Sequence, residues 1–401
     1  MSTRVFVTGL GTISSIGNNV EESYQSLVNS KKGIAPMTRL DSKHKVNRPI
    51  AEVNLTNEEL ANFANVKTLE GCSRTSLLGI VAAREAAADA GIIDELSSER
   101  IGLISATTVG GMGETELHYR DFIDENGQGT HLDYINSHDC GESTQRIADE
   151  LGMKGYQNTI NTACSSSANA ILLGSRLIKH GILDKVIVGG TDALCKFTVN
   201  GFNTLMILSD KDTTPFSAHR KGLNLGEGAG FVVIESEESA KGKKIYSEVT
   251  GYANGCEAFH QTASSPEGDG AFQVMTEALA VAGLQPTDID YINAHGTATE
   301  INDLSEGKAI QRVFGDNVPK VSSTKSYTGH TLGASGGIEA VYSNLAIDRK
   351  TIFPNLSFEE QMPELGFKPQ IEVVQDVEVA NVLSNAFGFG GNNSAVIFSK
   401  V

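Results

Sequence analysis

The chain has 401 residues, 40% of them hydrophobic, enough to bury a large core and to build two or three domain-sized units. Its formal net charge of −17 argues against nucleic acid and against an anionic membrane as partners, because phosphate-rich surfaces are held by clustered Lys and Arg. A small molecule or a protein remains.

The opening stretch, "MSTRVFVTGLGTISSIG", has a short apolar run broken by Thr8, Gly9 and Gly11 and reads as a strand and turn. It is neither a signal peptide nor a membrane span, and no later segment offers the roughly 18 consecutive apolar residues that spanning needs. No membrane insertion and a cytoplasmic location are therefore expected. Segments 18–70 and 112–158, richer in polar residues and Asn, read as insertions on a first half. Around and beyond them, strand-like runs ("RIGLIS", "KVIVGG", "GFVVIES", "DIDYINA") alternate with helical ones ("TSLLGIVAAREAAADAG", "AFQVMTEALAVAG", "SGGIEAVYSNLAIDRK"). This is the pattern of an α/β fold with buried sheets and covering helices. Charge and glycine interrupt it in "SEESAKGKKIYSE", which divides the chain into 1–240 and 241–401. The two parts echo one another. "VFVTGLGTISS" resembles "SEVTGYANGC" at 247–256, and each half later reaches an apolar strand followed by glycines, "KVIVGGTDA" and "VLSNAFGFGGNN". A duplicated α/β unit explains the echo, with a chance match of two VTG triplets as the alternative.

Five cysteines (Cys72, Cys140, Cys164, Cys195, Cys256) lie far apart without a CxxC spacing, against a disulfide framework or a zinc knuckle. Each reads as a small buried hydrophobe except Cys164. "NTACSSSANA", residues 161–170, surrounds that thiol with very small side chains directly ahead of the apolar "ILLGSRLIKHG". A thiol at the first turn of a helix meets unpaired N–H groups and the positive end of the helix dipole, which favour the thiolate. Small neighbours allow a sharp turn and the approach of a bulky group, and Ser165 to Ser167 supply caps. Ala168, Ile171, Leu172, Leu177 and Ile178 share the face that holds this helix to the core. An ordinary cysteine at a tightly packed helix start is the competing reading, so partners must decide.

Two histidines occur in glycine-rich turns. "NAHGTATEIND" places His295 after the strand "DIDYIN", with a helix expected from about Asp303. "SSTKSYTGHTLGASGG" sets Lys325 ahead of His330, with a helix from near Ala334. Loops after the carboxyl ends of sheet strands are where α/β proteins build their sites. The two histidines come from separate turns with no further Cys or His at ligand spacing, so no catalytic metal is expected.

Cys164 in "TACSSS", His295 in "HGTAT", Lys325 in "STKSYTGH", His330 itself and the terminal "NAFGFGGNN" together resemble the elongating β-ketoacyl-acyl carrier protein synthases, in order over essentially the whole chain. Thiolases are less similar, since their second active cysteine should fall near "NAFGFGG"; initiating synthases typically carry Asn where His330 stands. The resemblance implies the thiolase fold, two duplicated α/β halves in an α-β-α-β-α layering. It implies that Cys164 takes an acyl group from a carrier thioester, and that His295 and His330 stabilise the enolate formed when malonyl-carrier loses carbon dioxide. The N–H groups of Cys164 and Phe389 would form an oxyanion hole, and Phe389, between Phe387 with Gly388 and the pair Gly390 and Gly391, would gate the pocket through backbone freedom at positive φ. Lys325, with Asp303 and Glu306 as ionic partners, would organise the site. Thr297 and Thr299 would hold the phosphopantetheine arm, and Val109 and Phe202 would border the acyl pocket. Glu339, Asn293, Ser384 and Asn385 would surround a structural monovalent cation or a water. No cofactor is expected for the chemistry itself. The expected partner is an acyl carrier protein, and the expected assembly is a homodimer, with a heterodimer as the other possibility.

Departures from the family pattern carry information. Where members read close to "RPFDxxRDGFVxGEGAG", this chain has "TPFSAHRKGLNLGEGAG", so Ser217, Lys221, Leu223 and Asn224 differ while Gly226 to Gly230 persist. The stretch where relatives carry a basic carrier-docking cluster reads "NVKTLEGCSRTS", with Lys67 and Arg74 separated by Glu70, and Met206 stands where arginine is frequent. A reduced basic patch suggests an atypical carrier or a weaker electrostatic contribution. It fits a specialised aryl-polyene or polyketide synthase as well as a fatty-acid enzyme. The competing class is a non-catalytic, chain-length-determining partner subunit. Retention of Cys164, His295, Lys325 and His330 argues against that role and leaves open the active half of such a pair.

Overall fold

The computed structural model describes residues 3–66, 68–124 and 129–401. Ten strands are found there: β1 (Val5–Ser14), β2 (Ile101–Ala106), β3 (Gln157–Ile160), β4 (Lys185–Asp192), β5 (Gly228–Ser236), β6 (Ser247–Cys256), β7 (Tyr291–Asn293), β8 (Lys320–Ser322), β9 (Asn381–Phe387) and β10 (Asn392–Ser399). They run in the continuous order β3-β2-β4-β5-β1-β6-β10-β9-β7-β8. Read from each outer edge inward, the first five and the last five repeat the same topology. In the first half β2 pairs parallel with β3 and β4, while β5 is antiparallel to β4 and β1. In the second β7 pairs parallel with β8 and β9, while β10 is antiparallel to β9 and β6. The halves join through β1 and β6, at Phe6 opposite Glu248 and Val7 opposite Ser247.

The two VTG triplets have one physical job. A Cβ on Gly9 would lie 2.3 Å from the Ala86 carbonyl oxygen and 2.8 Å from Ala90 Cβ, inside the helix Arg74–Asp89 and its cap. A Cβ on Gly251 would lie 2.3 Å from the Ala278 oxygen and 2.8 Å from Ala282 Cβ, in the helix Asp269–Ala282. Each glycine lets an alanine-faced helix press directly onto the leading strand of its half.

Packing is layered. Leu77, Ala82 and Ala86 of the helix Arg74–Asp89 cover one face of the first half through Ile13, Ile187 and Phe231. Val274 and Ile310, from the helices Asp269–Ala282 and Glu300–Phe314, cover one face of the second through Ile292, Leu383 and Ile397. Between the two lie the helices Ser166–Lys179 and Ser335–Asp348, whose Ile171, Ile178, Ile338 and Leu345 meet Val188 and Val232 on one side and Val382 and Val396 on the other. The latter helix is buried from Ser335 to Ile347, so its sequence is apolar or small all round rather than amphipathic. This is the five-layer, thiolase-like α/β arrangement. The histidine-bearing turns differ in detail from expectation. The first helix begins at Glu300 rather than Asp303, and a 3-10 turn, Leu332–Ala334, precedes the second at Ser335. No helix among the described residues is long and apolar enough to cross a membrane. At one end of the parallel strands, the segments after β3, β7, β8 and β9 carry Cys164, His295, His330 and Phe389.

Candidate active site

Between β3 and its helix, Ala163 takes the left-handed conformation at φ 55°, a sharp elbow that a larger residue would crowd. Cys164 follows, buried at 6% exposure. The helix itself starts at Ser166, and the serines do not cap it. Ser166 Oγ accepts from Thr162 N–H (2.8 Å) and donates to the Ala163 carbonyl (2.5 Å), Ser167 Oγ accepts from Gly337 N–H (2.8 Å), and Ser165 Oγ donates to Asn392 Oδ1 (2.7 Å). They brace the elbow against its surroundings. On the helix, Ala168, Ile171 and Ile178 are buried and Leu172 and Leu177 are half-buried.

His330 and His295 meet Cys164 from two other turns, each with its own left-handed residue, Leu332 at φ 53° and Ala298 at φ 63°. His330 Nε2 lies 3.1 Å from Cys164 Sγ, and the two imidazoles are edge to face at 5.4 Å between centroids. Their tautomers follow from what faces Nδ1. Leu332 N–H donates to His330 Nδ1 at 3.1 Å, with Ser335 Oγ at 3.0 Å, and the Lys325 ammonium lies 3.3 Å from His295 Nδ1. A nitrogen that accepts there leaves the proton on Nε2, so both rings present Nε2–H donors to the cavity. Burial, reinforced by Lys325, holds both histidines well below the usual pKa, so they are neutral donors.

The thiol differs from the sequence expectation of a ready thiolate. Burial pushes Cys164 up to about 12, more than Lys325 and the backbone N–H of Phe389 can offset. Its resting form is the thiol, because the elbow that brings it to the helix end also takes it out of water.

Lys325 is 2% exposed, and its ammonium pairs with Glu339 Oε1 at 2.5 Å. The expected partners, Asp303 and Glu306, are occupied elsewhere. Glu306 accepts from the N–H groups of His295 (2.9 Å) and Gly296 (2.7 Å) and from Asn385 Nδ2 (3.1 Å); Asp303 accepts from Phe216 N–H (2.6 Å) and Ala298 N–H (3.0 Å). From the first two turns of the helix that follows, both carboxylates fix the backbone of the His295 turn rather than the lysine. Burial pushes Glu306 and Glu339 each up to about 7. Two buried oxygens, Glu339 Oε2 and Asn385 Oδ1, have no donor among the described residues, while Asn293 Nδ2 donates to the Glu339 carbonyl at 3.3 Å beside Ser384. These neutral and anionic oxygens fit a hard monovalent cation or a water.

A cavity of about 260 Å³ gathers Cys164, His295 and His330 at its floor with Phe387, Gly388 and Phe389, and Thr297, Thr299 and Phe202 on its walls. The Thr297 and Thr299 hydroxyls are 2.9 Å apart, and the Phe202 and Phe389 rings stack at 5.8 Å. Val109, expected on the pocket wall, lies instead in a core cluster with Leu194, Val199 and Leu332, against which Phe202 packs. The stacked pair closes the cavity on that side. Gly390 and Gly391 adopt φ 82° and 80°, as glycine allows. Gly388, expected to do the same, has φ −107°, and its missing Cβ matters because one would sit 2.7 Å from the Thr162 carbonyl.

Two further elements escape sequence reasoning. Asp192, at the end of β4, is fully buried and takes bonds from Thr107 Oγ1 (2.5 Å), Thr108 Oγ1 (2.8 Å), Val109 N–H (3.1 Å) and Gly333 N–H (2.7 Å). It ties the Val109 loop of one half to the His330 loop of the other. Asn392 Oδ1 accepts from Ser165, Asn169 and Asn254, clamping the segment after Phe389 to the nucleophile helix. Asp192 had no signal beyond a polar residue at the end of an apolar run, and Asn392 lies in the quoted "NAFGFGGNN" without a role that the motif itself shows. Arg74, in the stretch compared with a docking cluster, turns inward: its guanidinium bonds Glu227 at 2.7 Å and the carbonyls of Leu55 and Val53 at 3.0 Å. Lys67 lies outside the described residues. Met206 is 88% exposed.

The family models for the β-ketoacyl synthase N-terminal and C-terminal domains match residues 2–240 and 246–359. The chain is 36% identical to 3-oxoacyl-[acyl-carrier-protein] synthase 2 of Staphylococcus aureus (strain COL), over 99% of this chain and 98% of that one. Among solved structures, it resembles the ishigamide ketosynthase/chain length factor (33% identity, TM-score 0.92) and a type II polyketide acyl-carrier protein in complex with its ketosynthase (27%, TM-score 0.88), each aligned over 100% of both chains. With a Cys-His-His floor at the strand ends of a duplicated α/β fold, and with both family models covering most of its length, this chain belongs to the β-ketoacyl synthase family.

Proposed function

We propose that the protein is a 3-oxoacyl-acyl carrier protein synthase, an acyltransferase that condenses an acyl group held on Cys164 with malonyl-carrier. The observation that carries this is the pair of neutral histidines, both locked as Nε2–H donors around a thiol 3.1 Å from one of them. In the first half-reaction the Cys164 sulfur attacks the acyl thioester and its proton leaves with the carrier thiol. Because the resting thiol is hard to ionise, charge develops on sulfur only as the thioester arrives, where Phe389 N–H and the Cys164 N–H meet the carbonyl oxygen. In the second, malonyl-carrier places its thioester oxygen against the two Nε2–H groups. Loss of carbon dioxide puts the electron pair into an enolate whose negative oxygen these donors stabilise, each worth roughly 10²- to 10³-fold. The enolate carbon attacks acyl-Cys164, and the expelled thiolate takes a proton from solvent. Imidazolium would be a poorer choice, since it would protonate the enolate; burial, reinforced by Lys325, keeps both rings neutral.

On this reading Thr297 and Thr299 hydrogen-bond the pantetheine arm, and Phe389 gates the acyl passage toward Val109 by unstacking from Phe202. Glu339, Asn293, Ser384 and Asn385 hold the cation or water behind Lys325. The two thiolase-like halves divide near residue 240, with 18–70 and 112–158 as insertions. The enzyme works in the cytoplasm, in keeping with cysteines that are all free among the described residues. It acts as a dimer. The helix Met112–Phe122 buries none of its residues and exposes Leu117 at 71% and Tyr119 at 55%, a face that a second subunit would cover. A homodimer is the first reading, and the likeness to a ketosynthase/chain length factor supports a heterodimer as the second. Incubation with acyl-carrier and malonyl-carrier should give a carrier two carbons longer with a 3-oxo group. Absence of that product across short and long acyl donors would overturn the proposal.

A further inference from the structure

The cavity grades from a sealed floor to an open mouth. Cys164, His295 and His330 are 6%, 2% and 2% exposed, while Met206, Lys221, Glu300 and Ile301 on the same wall are exposed. Lys221 is the one lysine or arginine among the described residues that line it, and it has no ion pair or hydrogen bond there. Glu300 is the one carboxylate among the described residues that line it. Lys221 is also held in register with the Thr297–Thr299 wall. Gly222 N–H donates to the Ala298 carbonyl at 2.9 Å, Thr213 Oγ1 bridges the carbonyls of Gly222 (3.1 Å) and Thr297 (3.4 Å), and the Arg220 guanidinium is spent on the Glu300 carbonyl at 2.7 Å. An uncommitted ammonium on a strapped segment, at the mouth of a cavity whose floor takes a thioester, sits where the other end of the thioester's arm emerges.

We propose that Lys221 binds the phosphate of the phosphopantetheine arm and selects phosphorylated over unphosphorylated acyl thioesters, an assignment that rests on the thioester-exchange reading above. Every carrier-borne substrate brings that phosphodiester to the mouth. On a chain of net charge −17, with Glu300 on the same rim, a cation there is needed to make the mouth attractive to an anion.

The test compares hexanoyl-phosphopantetheine with hexanoyl-pantetheine as donors, reading acyl transfer to Cys164 by intact mass. The wild type should prefer the phosphorylated donor about fivefold in kcat/KM, the scale of one exposed charge pair. Lys221→Gln should bring the ratio to about one through KM, Lys221→Glu should reverse it, and Lys221→Arg should restore most of it. A ratio near one in the wild type, or a preference that survives in Lys221→Gln, overturns the assignment. So does a defect seen only with the intact carrier protein, which would mean that Lys221 meets carrier carboxylates instead. Failure of the thioester-exchange reading looks different: no donor, small or carrier-bound, would add mass to wild-type Cys164.

Discussion

Asp192→Asn tests whether the two halves are coupled through one carboxylate. Asp192 Oδ1 faces Thr107 Oγ1 and Val109 N–H, and Oδ2 faces Thr108 Oγ1 and Gly333 N–H. An amide must turn its NH2 toward one of these pairs. The threonine hydroxyl can rotate, but the backbone N–H cannot, so one buried donor is left without an acceptor at a cost of about 1–3 kcal/mol. If Gly333 loses its bond, the turn that supplies Leu332 N–H to His330 Nδ1 loosens as well. The expected result is a lower denaturant midpoint with an unchanged m-value, together with a fall in malonyl-carrier decarboxylation larger than the fall in Cys164 alkylation by iodoacetamide. A variant with wild-type midpoint and wild-type decarboxylation would refute the reasoning.

Glu306 sits at about 7 in the folded chain against 4.5 as a free group, so its contribution to stability is present below pH 4.5 and is lost as pH rises through about 7. Glu306→Gln should therefore make unfolding free energy fall less steeply over that window in pH-dependent denaturant titrations; equal slopes would contradict it. Lys325→Met strands Glu339 and should cost about 3–5 kcal/mol, most of it recovered in Lys325→Met/Glu339→Leu, with chemical denaturation as the measurement. A double variant no better than the single would argue against an ion pair. Phe202→Leu removes a stack worth about 0.5–1.5 kcal/mol and should raise labelling of Cys164 by a bulky maleimide, relative to iodoacetamide, by about two- to tenfold. An unchanged ratio would separate Phe202 from the gate.

Much of the site was legible because it is written in local turns. Cys164, His295, Lys325 and His330 each lie in a short glycine- or serine-rich segment after an apolar strand, and the elbow residues Ala163 and Ala298 are small for a visible reason. The VTG echo proved to be a packing rule, one glycine per half under one alanine-faced helix. What sequence could not give was the pairing of charges across the fold. Asp303 and Glu306 are the expected partners of Lys325, yet they lie on the helix just after His295 and are consumed by its backbone, while Glu339 reaches the lysine from the buried central helix. Arg74 shows the same kind of long-range pairing: a cation in a polar stretch is drawn inward by Glu227, 153 positions away. The state of Cys164 needed the cavity itself, since helix-end geometry favours the thiolate and burial opposes it more strongly.

The central claim is a division of labour, with Cys164 carrying the acyl group and the two Nε2–H donors carrying the enolate. Parallel assays of Cys164→Ala and His295→Ala test it most directly, following acyl mass on the protein and carbon dioxide released from malonyl-carrier. Cys164→Ala should carry no acyl group yet still release carbon dioxide, whereas His295→Ala should acylate and lose decarboxylation by roughly 10²- to 10³-fold. Acylation lost and decarboxylation kept in His295→Ala would contradict the account.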